Sequence, residues 1–172
     1  MIIASISGSP QHSSRSSWLL QHAIKRLAPQ VQHHAIAVRE LPARALINAD
    51  ATDPAIVRAQ RRLSEADAVL IGTPIYKAAY SGLLKTFLDL LPPQALRGKS
   101  VLPLGTGGSL GHLLALDYAL KPVLSALGAR DILDGVFATD AQLVPHESGG
   151  YVPDDALVER LDRALQPLSP RS

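Results

Sequence analysis

The chain has no cysteine in its 172 residues. That excludes disulfides, thiolate-held metals, iron–sulfur clusters and a thiol nucleophile at once. It is consistent with a reducing compartment, and a cytoplasmic location is expected. Aromatic residues make up 4% of the chain and the formal net charge is +2. No Lys and Arg cluster with interleaved aromatics is present, so nucleic acid is not an expected partner. Long apolar runs are lacking as well. Gly, Pro and charged residues interrupt them, and no transmembrane helix is expected. The opening Met1-Ile2-Ile3-Ala4-Ser5-Ile6 carries no basic segment and no cleavage site, so no signal peptide is expected. The six histidines show no ligand spacing, which argues against a metal site. No nucleophile elbow points to a Ser-His-Asp set.

What remains is a composition 47% hydrophobic and 19% charged, that of a globular chain long enough for one full α/β core. Residues 2–7 form an apolar run closed by Gly8-Ser9-Pro10, which predicts a buried strand and a turn. Residues 15–27 carry Trp18, Leu19, Ala23, Ile24 and Leu27 at three- and four-residue spacing, which predicts an amphipathic helix. Residues 31–38, 68–72, 100–104 and 132–138 read as further strands. Helices are expected from Asp53-Pro54 to about 65, from Ser81 to 91, over 110–127 and over 153–165, with a frayed tail after that. Continuous apolar strands alternating with helices indicate a parallel sheet covered on both faces. The expected architecture is a flavodoxin-like three-layer sandwich, with a five-stranded sheet of order 2-1-3-4-5 and one domain over residues 1–172.

In such a sheet ligands bind beyond the carboxyl ends of the strands. The loops there are residues 8–14, 73–80 and 106–109. The first is rich in hydroxyls and enters a helix near Arg15. The N–H groups and dipole of that helix start favour a phosphate, with Ser9, Ser16 and Ser17 as further donors and Arg15 as a charged one. This loop carries neither G-x-x-x-x-G-K-[ST] nor G-x-G-x-x-G, so a mononucleotide phosphate is favoured over Mg-nucleotide chemistry or a tightly held dinucleotide. The alternative reading of this segment is a serine-rich capping loop with no ligand. The second loop, Thr73-Pro74-Ile75-Tyr76-Lys77-Ala78-Ala79-Tyr80, offers backbone N–H groups to the polar edge of a flat ring. Its tyrosines also suit packing on the protein or a neighbouring subunit. In the third, Thr106-Gly107-Gly108, glycine lets backbone approach a ligand closely.

Together these segments resemble the NAD(P)H-dependent FMN reductase family, and within it the reductases of alkanesulfonate monooxygenase systems. The resemblance rests on Gly8-Ser9-Pro10 with residues 13–17, and on residues 74–91. It extends through Leu102-Pro103-Leu104, Thr106-Gly107-Gly108, His112-Leu113-Leu114-Ala115 and residues 117–124. It covers about residues 1–140 and is loose in the second strand. The resemblance implies free FMN as substrate, NADPH or NADH as hydride donor, a homotetramer, and a flavin-dependent monooxygenase that receives reduced FMN. It implies that Ser9, Arg15, Ser16 and Ser17 hold the phosphate. It places Pro74, Ile75, Tyr76 and Lys77 along the flavin, and Thr106, Gly107 and Gly108 at its ring edge or the nicotinamide side.

Pro122 inside the expected helix 110–127 removes a hydrogen bond and crowds the Tyr118 carbonyl, so distortion is expected near Tyr118. The resemblance implies a π-turn there, with Tyr118 packed on a partner subunit and tuning flavin release; a plain proline kink with Tyr118 buried locally is the other outcome. No protein acid or base is needed for hydride transfer between two cofactors. Backbone N–H groups and Lys77 are the candidates to face charge growing on the flavin. Two other functions fit the same scaffold. One is a quinone or azo-dye reductase with retained FMN, the other a flavodoxin-like electron carrier. Against the carrier stand the lack of acidic bias and Trp18, the only tryptophan, set in the first helix.

Overall fold

A computed structural model describes residues 1–27 and 31–169. The strands are β1 (Ile2–Ser7), β2 (Gln32–Ala37), β3 (Ala68–Tyr76), β4 (Ala79–Tyr80), β5 (Ser100–Gly107), β6 (Asp131–Ile132), β7 (Val136–Thr139), β8 (Leu143–Pro145) and β9 (Tyr151–Pro153). The helices are α1 (Arg15–Leu27), α2 (Ala43–Ile47), α3 (Pro54–Ser64), α4 (Gly82–Leu88), α5 (Lys121–Ala126) and α6 (Asp155–Leu165). The main sheet runs β2-β1-β3-β5-β6, with β7 also paired to β5 and β4 to β3. All its pairings are parallel except β3 with β4.

The flavodoxin-like class is as expected, but the sheet has seven strands rather than five. Two causes account for the difference. The expected strand 132–138 is broken: Val101 faces Ile132 whereas Leu104 faces Val136, so three residues oppose two across the gap. That is a bulge. It contains Gly135, where a Cβ would lie 3.1 Å from Leu116 and 3.3 Å from the Pro103 carbonyl. The second addition is β4, which turns back on the end of β3 through Lys77 and Ala78.

Side chains alternate between the faces with the strand period of two. Ile3, Leu70, Leu102 and Leu104 pack under α1 and α6 with Leu19, Leu20, Ala23, Leu157, Leu161 and Leu165. Ala4, Ile6, Val69, Ile71 and Val101 pack on the opposite side, with Ile56, Leu63, Leu84, Phe87 and Leu124 of α3, α4 and α5. These two buried clusters make the three layers.

Caps fix where helices begin. Ser14 Oγ accepts from Ser17 N at 3.2 Å and its carbonyl from Trp18 N at 2.9 Å, so α1 starts at Arg15 as predicted. Asp53 accepts from Ala55 N at 2.7 Å ahead of Pro54. Other boundaries differ. Helix α4 ends at Leu88, short of 91, and α6 starts at Asp155, because Asp154 is its cap and Pro153 belongs to β9. The tail is less frayed than expected: Gln166–Leu168 forms a 3-10 turn with Leu168 buried, while 170–172 lie outside the described residues.

The expected helix 110–127 is three pieces. A 3-10 turn, Leu110–His112, leads to a π-helical turn, Leu116–Leu120, and then α5. Pro122 has no N–H to give the Tyr118 carbonyl, which opens the ladder there. Gly105 lets this turn close on β5; a Cβ there would sit 3.0 Å from Leu116.

Candidate functional site

The parallel register sets Ser7 level with Gly72 and Gly72 level with Leu104, so the segments after β1, β3 and β5 emerge at one edge of the sheet. Gly8 starts the first. Its N–H donates to the Gly72 carbonyl at 2.8 Å and its carbonyl accepts from Ser81 Oγ. A Cβ at Gly8 would lie 2.7 Å from Leu84, so only glycine lets this segment lie against α4. Ser81 also caps α4, accepting from Leu84 N at 3.1 Å, and its own N–H donates to Thr73 Oγ1 at 3.0 Å. One buried hydroxyl cap thus ties the first segment, the end of β3 and α4 together.

Residues 73–80 are not a loop. Thr73 to Tyr76 continue β3, and Pro74 stands opposite Thr106. Lys77 and Ala78 form the two-residue hairpin turn into β4, at φ values of 51° and 63°. Hairpins of this length favour positive φ at both turn residues, a conformation usually left to Asn and Gly. Thr106 and Gly107 likewise belong to β5, opposite Ala138 and Thr139.

Between these segments lies a cleft of about 210 Å³. Arg15 and Ser16, with Ser14 and Gln11, form one end. Pro74, Ile75 and Tyr76 form one wall, and Thr106, Gly107 and Gly108 another. Eight of the residues singled out by sequence therefore meet in one place. Ser9, Ser17 and Lys77 do not line it. Ser9 is buried and its Oγ accepts from Gln11 N at 3.2 Å. Ser17 Oγ is 2.9 Å from Ser14 Oγ and 3.0 Å from Ser7 Oγ, behind the lining. Lys77 is at the exposed hairpin turn.

Four lining residues were not singled out: Gln11 and Ser14, which lie within the first segment, and, outside all three segments, Asp140 and Tyr151. The last two follow β7, where the resemblance fades. Arg15 Nε donates to the Leu143 carbonyl at 3.1 Å and lies 3.5 Å from Asp140 Oδ1, and its guanidinium sits 5.2 Å from the Tyr151 ring centroid. Tyr151 is edge-on to Trp18 at 6.1 Å, and Trp18 stacks on His22 at 4.7 Å. The hairpin β8–β9 thus closes the Arg15 end of the cleft. The sole tryptophan is one ring removed from it.

The donor set suits a mononucleotide carrying a flat ring. The first-turn N–H groups of α1, the hydroxyls of Ser14 and Ser16 and the Arg15 guanidinium all favour an anion. The Pro74-Ile75-Tyr76 wall and the glycine backbone opposite leave a slot for a planar group. Tyr118 is not buried locally: it stands 78% exposed on the π-turn, with Leu110 and Leu114 also exposed nearby in the chain. Among the described residues no group of three His, Asp or Glu side chains is placed to hold a metal, and no helix is long and apolar enough to cross a membrane.

Comparison with known proteins identifies the family. The sequence model of NADPH-dependent FMN reductase matches residues 1–143. The chain is 48% identical over 168 residues to an FMN reductase (NADPH) of Escherichia coli K12, covering 96% of this chain and 87% of that protein. It is 46% identical over 170 residues to an FMN reductase (NADPH) of Pseudomonas putida KT2440, covering 96% and 85%. Among solved structures, an NADH:FMN oxidoreductase in its apo form superposes with a TM-score of 0.87 at 37% identity, covering 96% of this chain and 87% of that one. The chain belongs to the NADPH-dependent FMN reductase family.

Proposed function

We propose that this member of the family, an oxidoreductase that uses FMN and NADPH, treats FMN as a substrate to be reduced and released to a flavin-dependent monooxygenase. The observation that carries the reading is the cleft itself, which joins an anion-binding end at Arg15 and Ser16 to a slot walled by Pro74–Tyr76 and Thr106–Gly108. Bound there, flavin supplies the hydride acceptor and nicotinamide the donor. The chain's own residues bind and orient. Ser14, Arg15 and Ser16 take the phosphate, and backbone N–H groups at the end of β3 face the polar ring edge. Thr106, Gly107 and Gly108 leave room for a second ring. Ser9 and Ser17 support the phosphate segment from behind, and Lys77 stands at the rim. The preference for NADPH follows the two relatives at 46% and 48% identity; the structural relative at 37% is named for NADH.

A homotetramer, a cytoplasmic setting and alkanesulfonate desulfonation as the use of the reduced FMN complete the proposal. Tyr118, exposed on the π-turn, packs on a partner subunit and tunes flavin release. Tyr118→Ala is expected to change both the oligomeric mass and the FMN affinity. Unchanged values for both would remove that role.

The handover is tested by coupling. The protein, NADPH, FMN, an alkanesulfonate and a flavin-dependent alkanesulfonate monooxygenase are combined, and sulfite release is measured. Sulfite that depends on all five components is the expected result. Consumption of NADPH with no sulfite would contradict it. Tight FMN retention with turnover of quinones would instead support the quinone reductase reading.

A further inference from the structure

We propose that Asp140 sets how loosely FMN is held, its carboxylate opposing the flavin phosphate at the Arg15 end of the cleft. The inference rests on the placement of the phosphate proposed above. Arg15 is the cationic residue in the cleft lining and Asp140 the anionic one, 3.5 Å apart. A phosphate monoester carries about −1.5 to −2 charge at neutral pH. It would enter a cleft in which Arg15, the cationic lining residue among the described residues, is already partly neutralised.

Asp140 is not what positions Arg15. The Arg15 Nε–H donates to the Leu143 carbonyl at 3.1 Å and the guanidinium lies on Tyr151, so two contacts hold the side chain without the carboxylate. The Arg15–Asp140 separation exceeds the roughly 2.7–2.9 Å of a strong charge-assisted bond. Nor is the carboxylate needed for the local fold. Asp140 opens a 3-10 turn whose capping box is made by Thr139 and Gln142. What is left for the Asp140 charge is its effect on an incoming anion. A reductase that must release its flavin gains from such a residue, because the opposition acts on the phosphate and leaves the ring contacts intact.

The test compares FMN with riboflavin, which has the same ring and no phosphate. Their dissociation constants are measured by flavin fluorescence quenching for the wild type, Asp140→Asn and Arg15→Ala, at low and high salt. Asp140→Asn is expected to bind FMN about three- to tenfold more tightly at low salt, with the gain shrinking as salt screens it. Riboflavin affinity is expected to stay the same. Weaker FMN binding in Asp140→Asn, or an equal change for riboflavin, would overturn the inference while leaving the phosphate placement standing. FMN binding that Arg15→Ala does not alter would overturn the placement, and the role of Asp140 with it.

Discussion

The Arg15 guanidinium lies over the ring of Tyr151, 5.2 Å from its centroid, and so the helix start that faces the cleft is held by a hairpin more than a hundred residues away in the chain. A contact of this kind contributes about 0.5–1 kcal/mol at an exposed site. Tyr151→Ala is expected to raise the FMN dissociation constant about two- to fivefold, and Tyr151→Phe to leave it near the wild-type value. Because Tyr151 also abuts Trp18, FMN binding should change the tryptophan emission. An unchanged affinity in Tyr151→Ala would show that the ring does not hold Arg15 for the ligand.

The Ser81 hydroxyl serves two partners, capping α4 and satisfying the Gly8 carbonyl in a buried place. Ser81→Ala leaves that carbonyl unpaired and removes the cap, at a cost of about 1–3 kcal/mol. Urea denaturation should show this loss. Ser81→Thr, which keeps the hydroxyl, should recover part of it.

Much of this arrangement was legible in the sequence. The extent of α1 is given by the apolar stripe of residues 15–27, and the three cleft segments by their Gly, Pro and Ser content. The rest was not legible for definite reasons. The extra residue between β6 and β7 depends on how Gly135 fits against Leu116, which no local pattern encodes. Strands β8 and β9 expose Val144 and Val152, so they show no buried apolar run. Asp140 and Tyr151 reach the cleft only through that hairpin. The length of β3 was underestimated because Pro74 reads as a break, yet here it stands in the strand opposite Thr106.

The turn between β3 and β4 holds Ala78 at a φ of 63°, where an L side chain costs roughly 1–2 kcal/mol. Ala78→Gly relieves that cost and, after the added freedom of the unfolded chain, should stabilise the protein by about 0.5–1 kcal/mol. A rise of the urea midpoint with an unchanged slope checks it. A fall would mean that the Ala78 methyl group has a packing role.

Burial lowers the pKa of both His22 and His33 below the ordinary 6.5. His33 shares a 2.8 Å hydrogen bond with Ser5 Oγ, and His22 stacks on Trp18. A basic group with a depressed folded-state pKa charges first in the unfolded chain. Stability is therefore full above about 6.5, falls as the pH drops through it, and levels off below the folded-state values. Thermal midpoints are expected to decline between neutral and mildly acidic pH. The double variant His22→Gln/His33→Gln should show a flatter acid limb. An equally steep limb in the variant would assign the decline to other groups.

The central claim is that FMN enters and leaves this cleft as a substrate. It is tested most directly by following NADPH oxidation by the purified protein with and without added FMN. The account predicts a protein that purifies colourless, is nearly inactive alone, and oxidises NADPH at a rate that saturates with FMN. A yellow protein whose rate ignores added FMN, or no oxidation under either condition, would contradict it.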